Sequence, residues 1–353
     1  KIRTLYAAGA FNLDSKKLPK ALTLRAGPGW TPTIIPPVQE AQVTVVKPGL
    51  ETLRKAISNA VSGSTLILET GEYFSEKKIK VTKDITIIGD IGGATIIAAN
   101  KNIKKPIDYL FRVEENVTFK LSNVFIDGKN SNLKYAIVSP DKLQGAGYNL
   151  FVDTVVFQNF KNKKGGSVFK AYNGTKADTL SFVNSRFENN FRGLNLSYDN
   201  KNSGMFNANF IVVKNSVFKN IKESAINYVR KIPNNMISGG NLLVENCVFY
   251  NVDNREKGKI IKADGIHRVK IVNSVFDNSY KVKTPIVLKG MSQQISNCLI
   301  NNSGYVKISQ GARKSDLLYK NPKWEDKTLF IPSKKSVLLK EKNKKATIGL
   351  LQI

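Results

Sequence analysis

One histidine, two cysteines, two tryptophans and three methionines are all that 353 residues hold of those types, and acidic residues are scarce beside basic ones. Each shortage removes a class of chemistry. With His267 alone, no histidine-based metal site or catalytic triad can be assembled without it, and its place in "GIHRVKIVN" reads as a surface or turn position. Cys247 and Cys298 are too few for a disulfide framework. No CxxC pair and no glycine-rich phosphate loop occurs. No run of about 18 apolar residues exists, so nothing reads as a membrane-spanning helix. The opening "KIRTLYAAGAFNLD" is too polar for the apolar stretch of a signal peptide and reads as the start of a trimmed or a mature form, which leaves export open.

What the chain has in excess is positive charge. Fifty-five Lys and Arg against 27 Asp and Glu give a net +28, enough to concentrate polyanions near the surface. Only ten of the cations are arginine, so lysine dominates, and a solvated lysine face is the plainer use of the same charge. No RNA- or DNA-binding motif accompanies it, which disfavours nucleic acid as the partner. The 41% hydrophobic content is spread along the chain, so folding is expected almost throughout.

The hexapeptide "NSVFKN" at 215–220 returns as "NCVFYN" at 246–251 and "NSVFDN" at 273–278. Aligning on its aromatic gives Phe125, Phe157, Phe187, Phe218, Phe249, Phe276 and then Ile300, at intervals of 32, 30, 31, 31, 27 and 24 residues. Three positions earlier stand Ser122, Thr154, Asn184, Asn215, Asn246, Asn273 and Asn297; two positions later stand Asp127, Asn159, Asn189, Asn220, Asn251, Asn278 and Asn302. Both columns are small polar turn formers. Between them lie short alternating runs such as "NFIVVKN" and "GNLLVEN", which read as strands. A strand-turn-strand unit of this period predicts an all-β, single-stranded parallel β-helix in which asparagines sit in the turns, bonding the backbone of the next coil, and phenylalanines stack inside.

Residues 1–42, with Pro28, Pro32, Pro36 and Pro37, read as a linker or the remnant of a preceding domain, and 43–350 as the β-helix. Apolar residues at Leu50, Leu53, Ala56, Ile57 and Val61 predict a capping helix over about 49–61, stopped by Gly63. Coils follow over about 64–310, and 311–350 is expected to cover the far end. Cys247 and Cys298 fall two coils apart, about 9.6 Å at the coil spacing, too far for a disulfide, and read as small packing residues.

After each hexapeptide comes a further strand: "GGSVFKAY", "RGLNLSYD", "SAINYVRK", "GKIIKADG" and "TPIVLKG". Lined up, they give the column Lys170, Ser197, Arg230, Lys262 and Lys289. Like charges stacked at coil spacing are unfavourable, so an anionic ligand along the helix axis would explain them; splaying into water is the alternative.

The β-helix pattern, the cap helix before "STLILETGEY", the "ITIIGD" coil and the closing "NPKWED" resemble the pectin-lyase-like secreted β-helix proteins of Bacteroidetes, right-handed in fold. More narrowly they are similar to polysaccharide lyase family six, the alginate lyases and chondroitinase B, over roughly 43–350. The resemblance implies β-elimination on a uronate polymer of alginate or chondroitin/dermatan type. It also implies a secreted, periplasmic or outer-membrane-surface location and a monomer. In that family a lysine is the base, an arginine of the next coil assists, and calcium held by acidic residues neutralises the uronate carboxylate.

Carried onto this chain, the base position falls on Arg230 and the arginine position on Lys262. Glu223 matches the first acidic ligand, the second falls on Ala225, and His-Gly is replaced by Ala263-Asp264. Arginine is not deprotonated in proteins, so the base role passes to Lys262. Without a full ligand set the expected chemistry is metal-free. Arg230 and Lys289 grip the carboxylate, Lys262 removes the proton, and Tyr228 or water protonates the leaving oxygen, with Lys170, Glu223 and Asp264 as further substrate contacts. A glycosidase would need two facing carboxylates, and Asp264 and Asp253 do not supply such a pair. The rival reading is a non-catalytic β-helix that binds acidic polysaccharide, or serves a structural role.

Overall fold

The structure, a computed structural model, describes residues 40–100, 107–128, 133–140, 146–162, 165–172, 174–196, 207–229, 239–306, 312–341 and 348–350. Ala41–Ile353 is one compact unit, separate from Lys1–Glu40. Short strands wind into a right-handed parallel β-helix, and one 26-stranded sheet runs round it with every pairing parallel. Each coil lays one strand on each of three faces. The first face holds strands such as Asn149–Asp153, Ala177–Val183 and Ala208–Lys214; the second holds Val156–Gln158, Arg186–Glu188 and Val217–Ile221; the third holds Ser167–Lys170, Leu194–Leu196 and Ile226–Val229.

The two asparagine columns are the corners. Thr154, Asn184, Asn215, Asn246, Asn273 and Asn297 have φ of 47–55°, between the first and second faces. Asn159, Asn189, Asn220, Asn251, Asn278 and Asn302 have φ of 47–65°, between the second and third. Asparagine is the side chain that best tolerates this left-handed geometry while hydrogen-bonding locally. Its amides chiefly meet other side chains, not the backbone expected from sequence: Asn215 Nδ2 donates to Asn184 Oδ1 at 2.8 Å and Asn184 Nδ2 to Asp153 Oδ1 at 2.9 Å. Asn184→Ala therefore loses both a left-handed residue and a rung, and is expected to cost about 2–3 kcal/mol. Asn184→Gly loses only the rung and should cost about half as much, read by urea denaturation.

Inside, the rings of Phe157, Phe187, Phe218, Phe249 and Phe276 stack with centroids 5.3, 4.3, 5.1 and 4.9 Å apart. The first member of the expected column is corrected. Ile126, not Phe125, pairs with Phe157 and is fully buried, while Phe125 faces outward at 37% exposure, and the left-handed corner is Asn123 where Ser122 was expected. Cys247 and Cys298 are buried free thiols in the column of Ser216 and Ser274, their pKa pushed up to about 12 by burial.

The capping helix α1 spans Thr52–Asn59 and buries Leu53 and Ile57 in the end of the core. Leu50 is not part of it: it belongs to the short strand Gly49–Leu50 and is 48% exposed. Glu51, just before α1, accepts the amides of Glu76 at 2.6 Å and Lys77 at 3.2 Å and the Nε of Arg54. Burial pushes its carboxyl up, but these donors together outweigh it and hold the group below its ordinary 4.5. A lowered carboxyl pKa contributes stability above the ordinary value that is lost as pH falls through the folded one. Unfolding followed from pH 6 into the acid range should show this loss, and Glu51→Gln should flatten it.

The C-terminal segment does not simply cover the far end. Ala312–Leu318 adds one more strand beside Ile286–Asn301, and the chain then folds back along the outside of the second face. There Phe330, Leu338 and Ile348 cover Val217, Val248, Val275 and Leu299 as a second core. Trp324 Nε1 donates to Asp277 at 2.8 Å, Arg186 Nη2 to the Thr328 carbonyl at 2.6 Å and Asn246 Nδ2 to the Gly349 carbonyl at 3.0 Å. The second face is thereby covered along these coils. Among the described residues, no helix is long and apolar enough to cross a membrane.

Candidate functional site

On the third face the strand register places Lys80, Arg112, Val138, Lys170, Asn195, Asn227, Lys262 and Val287 side by side in successive coils. This corrects the sequence-derived column. Asn195, not Ser197, stands beside Lys170; Asn227, not Arg230, and Val287, not Lys289, stand beside Lys262. The reason is the loop of changing length before each third-face strand, which carried the count two or three residues too far; cations do meet directly in the earlier coils, Lys80 opposite Arg112. Lys170 and Lys262 are separated by two amides, Asn227 Nδ2 donating to Asn195 Oδ1 at 3.2 Å. With coils about 4.8 Å apart, the Lys170 and Lys262 backbones stand about 14 Å from each other.

The other sequence-derived residues distribute as follows. Lys289 stands opposite Asp264, two residues along, and its Nζ lies 3.8 Å from that carboxylate. Ser197 and Arg230 lie outside the described residues. Tyr228 is corrected outright: its ring is fully buried in the core and its Oη donates to the Ala208 carbonyl at 2.5 Å, so it cannot reach a ligand on the outer face. His267 is half-buried on the strand Ile261–Val272, its amide donating to the Gly239 carbonyl at 3.0 Å.

Lys170 has the most distinctive surroundings. It is half-buried, and burial first, then the positive charge of Arg192, lowers its pKa from the ordinary 10.5, favouring the neutral amine. Arg192 holds Glu223 through its Nε, and its guanidinium lies 5.2 Å from the Phe191 ring centre. Two residues beyond Lys170, just past the end of the strand Ser167–Lys170, is Tyr172, whose amide donates to Ser139 Oγ at 2.7 Å. Burial, then Tyr135, Tyr109 and Asp108, raise its phenol to about 12, with Arg112 opposing, so the phenol keeps its proton throughout the neutral range. Arg112 lies 5.9 Å from the Tyr109 ring centre and bonds Glu114 at 2.7 Å. Arg112, Tyr172, Arg192 and the two asparagines were missed from sequence. "SVFKAYNG" carried the Lys170 and Tyr172 spacing in plain view.

The calcium implied by the family resemblance does not fit these residues. Calcium takes six to eight oxygens. Here Glu223 is held by Arg192 and the neighbouring position is the buried Ala225. Among the described residues, no group of three His, Cys, Asp or Glu side chains stands close enough to hold a metal ion.

Comparison with known proteins bears on the fold. No family profile and no curated protein sequence matches the chain. Among solved structures it is similar to a PL6 family alginate lyase, AlyGC, at 19% identity and TM-score 0.57, over 82% of this chain and 39% of that one. A point variant of the same enzyme aligns at 18% identity and TM-score 0.56, over 84% and 40%. A pectate lyase, Pel9A, aligns at 14% identity and TM-score 0.42, over 86% and 92%. The chain is thus a parallel β-helix, resembling the PL6 family alginate lyase in fold, and spans about two fifths of the alginate lyase structures it matches.

Proposed function

We propose that this protein acts on an acidic polysaccharide lying along the third face, cleaving it by metal-free β-elimination at Lys170. The observation that carries the reading is the presence of Lys170, an amine pushed toward neutrality, at the end of its strand and of Tyr172, a phenol kept protonated, two residues further along the chain. β-Elimination from a uronate needs a base to take the proton beside the carboxylate and an acid to protonate the departing glycosidic oxygen. Lys170 takes the first part and Tyr172 the second. Arg112 and Arg192 sit by these two groups as charge for the carboxylate, Asn227 lies half-buried along the face, and Lys262 meets a more distant unit of the polymer. This moves the base from Lys262 to Lys170 and the acid from Tyr228 to Tyr172. The similarity to an alginate lyase supports the substrate class by fold alone.

The test is incubation with alginate, chondroitin sulfate and dermatan sulfate, following the ultraviolet absorbance of an unsaturated uronate product. Product from any of them supports the reading, and none from a broad polyuronate panel sinks it. One observation favours a second reading, a polysaccharide-binding β-helix without catalysis: Arg112 and Arg192 are each already engaged with a carboxylate, Glu114 and Glu223. That reading predicts salt-sensitive retention on the same polymers with no product. It fails if Lys170→Ala with Lys262→Ala leaves retention unchanged.

A further inference from the structure

A recess of about 260 Å³ lies one corner upstream of the third face, lined by Lys161, Asn189, Asn190, Phe191, Asn220 and Lys222. The amide of Phe191 donates to the Phe160 carbonyl at 2.7 Å and that of Lys222 to the Asn190 carbonyl at 3.0 Å. These bonds put Lys161, Phe191 and Lys222 at one position of three successive coils, so the two lysine backbones stand about 9.6 Å apart with Phe191, 8% exposed, at the position between them. Both lysines are exposed, and among the described residues neither makes an ion pair.

The corner ladder is interrupted here. Asn251 Nδ2 donates to Asn220 Oδ1 at 2.9 Å and Asn220 Nδ2 to Asn189 Oδ1 at 3.1 Å. In the coil below, Asn159 Nδ2 donates in the same sense to Asp127 at 2.9 Å, so the missing rung is the one from Asn189 to Asn159. The Nδ2 of Asn189 is left, among the described residues, without an acceptor while its residue lines the recess. Asn190 fixes the rim, its Oδ1 accepting from the Phe160 amide at 2.9 Å and its Nδ2 donating to the Phe157 carbonyl at 3.0 Å.

We propose that this recess binds one sugar ring bearing a negative group, with the ring against Phe191, the anion between Lys161 and Lys222, and the Asn189 amide donating to it. The volume falls just below the roughly 300–1,000 Å³ of drug-sized sites, which fits a single ring and not a chain. An apolar wall flanked by two cations and an open amide suits a ring with a charged substituent better than a bare ion. The choice of a sugar rests on the polysaccharide reading above; the anion grip stands on the geometry of the recess.

The test uses the full chain and ligand-observed NMR with glucuronate, glucose 6-sulfate, glucose and inorganic sulfate as probes. Glucuronate or glucose 6-sulfate should bind at least tenfold more tightly than glucose or inorganic sulfate. Lys161→Ala with Lys222→Ala should weaken that binding at least tenfold. These side chains are exposed, so the double variant should keep the wild-type circular dichroism and melting temperature. Inorganic sulfate binding as tightly as the charged sugars would overturn ring recognition, and unchanged binding by the double variant would overturn the site. If no polymer yields product while the charged sugars still bind through these lysines, the elimination reading fails and this one stands.

Discussion

Lys170→Met is expected to abolish product formation, lowering the elimination rate by about 10²–10⁴-fold, the usual contribution of a positioned base. Methionine keeps the aliphatic stem and removes only the amine, so polymer retention should fall far less than turnover. The pH profile separates a base from a mere contact. Because burial and Arg192 lower the Lys170 pKa, the rate should rise with pH along a limb centred below the ordinary 10.5. Arg192→Met removes one cause of the lowering and also releases the Glu223 carboxylate. Both changes favour the ammonium, so the limb should move to higher pH. Stability carries the same sign: between the lowered value and 10.5 the unfolded chain binds more protons, so stability rises with pH in that window and Lys170→Met removes the rise. A Lys170→Met protein that still turns over, with an unmoved limb in Arg192→Met, would exclude Lys170 as the base.

The coil was legible in the sequence because its markers answer to local rules. Left-handed corners select asparagine whatever surrounds them, so Asn184, Asn215, Asn246 and Asn273 stand in order without knowledge of any contact. The stack of Phe157 to Phe276 follows from the same spacing. The first coil slipped by one residue because Phe125 and Ile126 are both apolar, and only pairing shows which one faces in. The same limit hid the second core. In "NSVFKN" the valine precedes the phenylalanine and must point the opposite way, so Val217, Val248 and Val275 form an outward apolar stripe that needs a cover. That stripe explains why the C-terminal segment runs back along the helix.

The site was less legible because it lies on the third face, beyond a loop whose length changes from coil to coil. Counting from the hexapeptide across that loop carried the column from Lys170 onto Ser197 and Arg230, two and three residues past the true neighbours Asn195 and Asn227. The parity of Tyr228 was lost in the same way. It alternates with Asn227 and so points inward, which removed it from the chemistry and left Tyr172.

Phe218→Ala should destabilise the fold by about 3–5 kcal/mol, the range for removing a buried phenyl ring. The ring is fully buried and stacked on both sides, 4.3 Å from Phe187 and 5.1 Å from Phe249. In an array where each coil contacts only its neighbours, the cavity weakens two interfaces at once and no distant contact compensates. Phe218→Leu refills most of the volume and should cost less than about 1.5 kcal/mol. Urea denaturation distinguishes them, and a loss under about 1 kcal/mol for the alanine variant would show that the stack is not what holds the coils in register. The ring also supports the candidate site. A side chain at Gly193 would come within 2.9 Å of Phe218 and 2.2 Å of the Ala225 carbonyl, so the chain passes closely over this ring just after Phe191 and Arg192. Loosening Phe218 should therefore free the Arg192 corner beside Lys170. Turnover in Phe218→Leu should fall severalfold under conditions where the protein remains folded, while Phe276→Leu, two coils further on, should leave turnover unchanged.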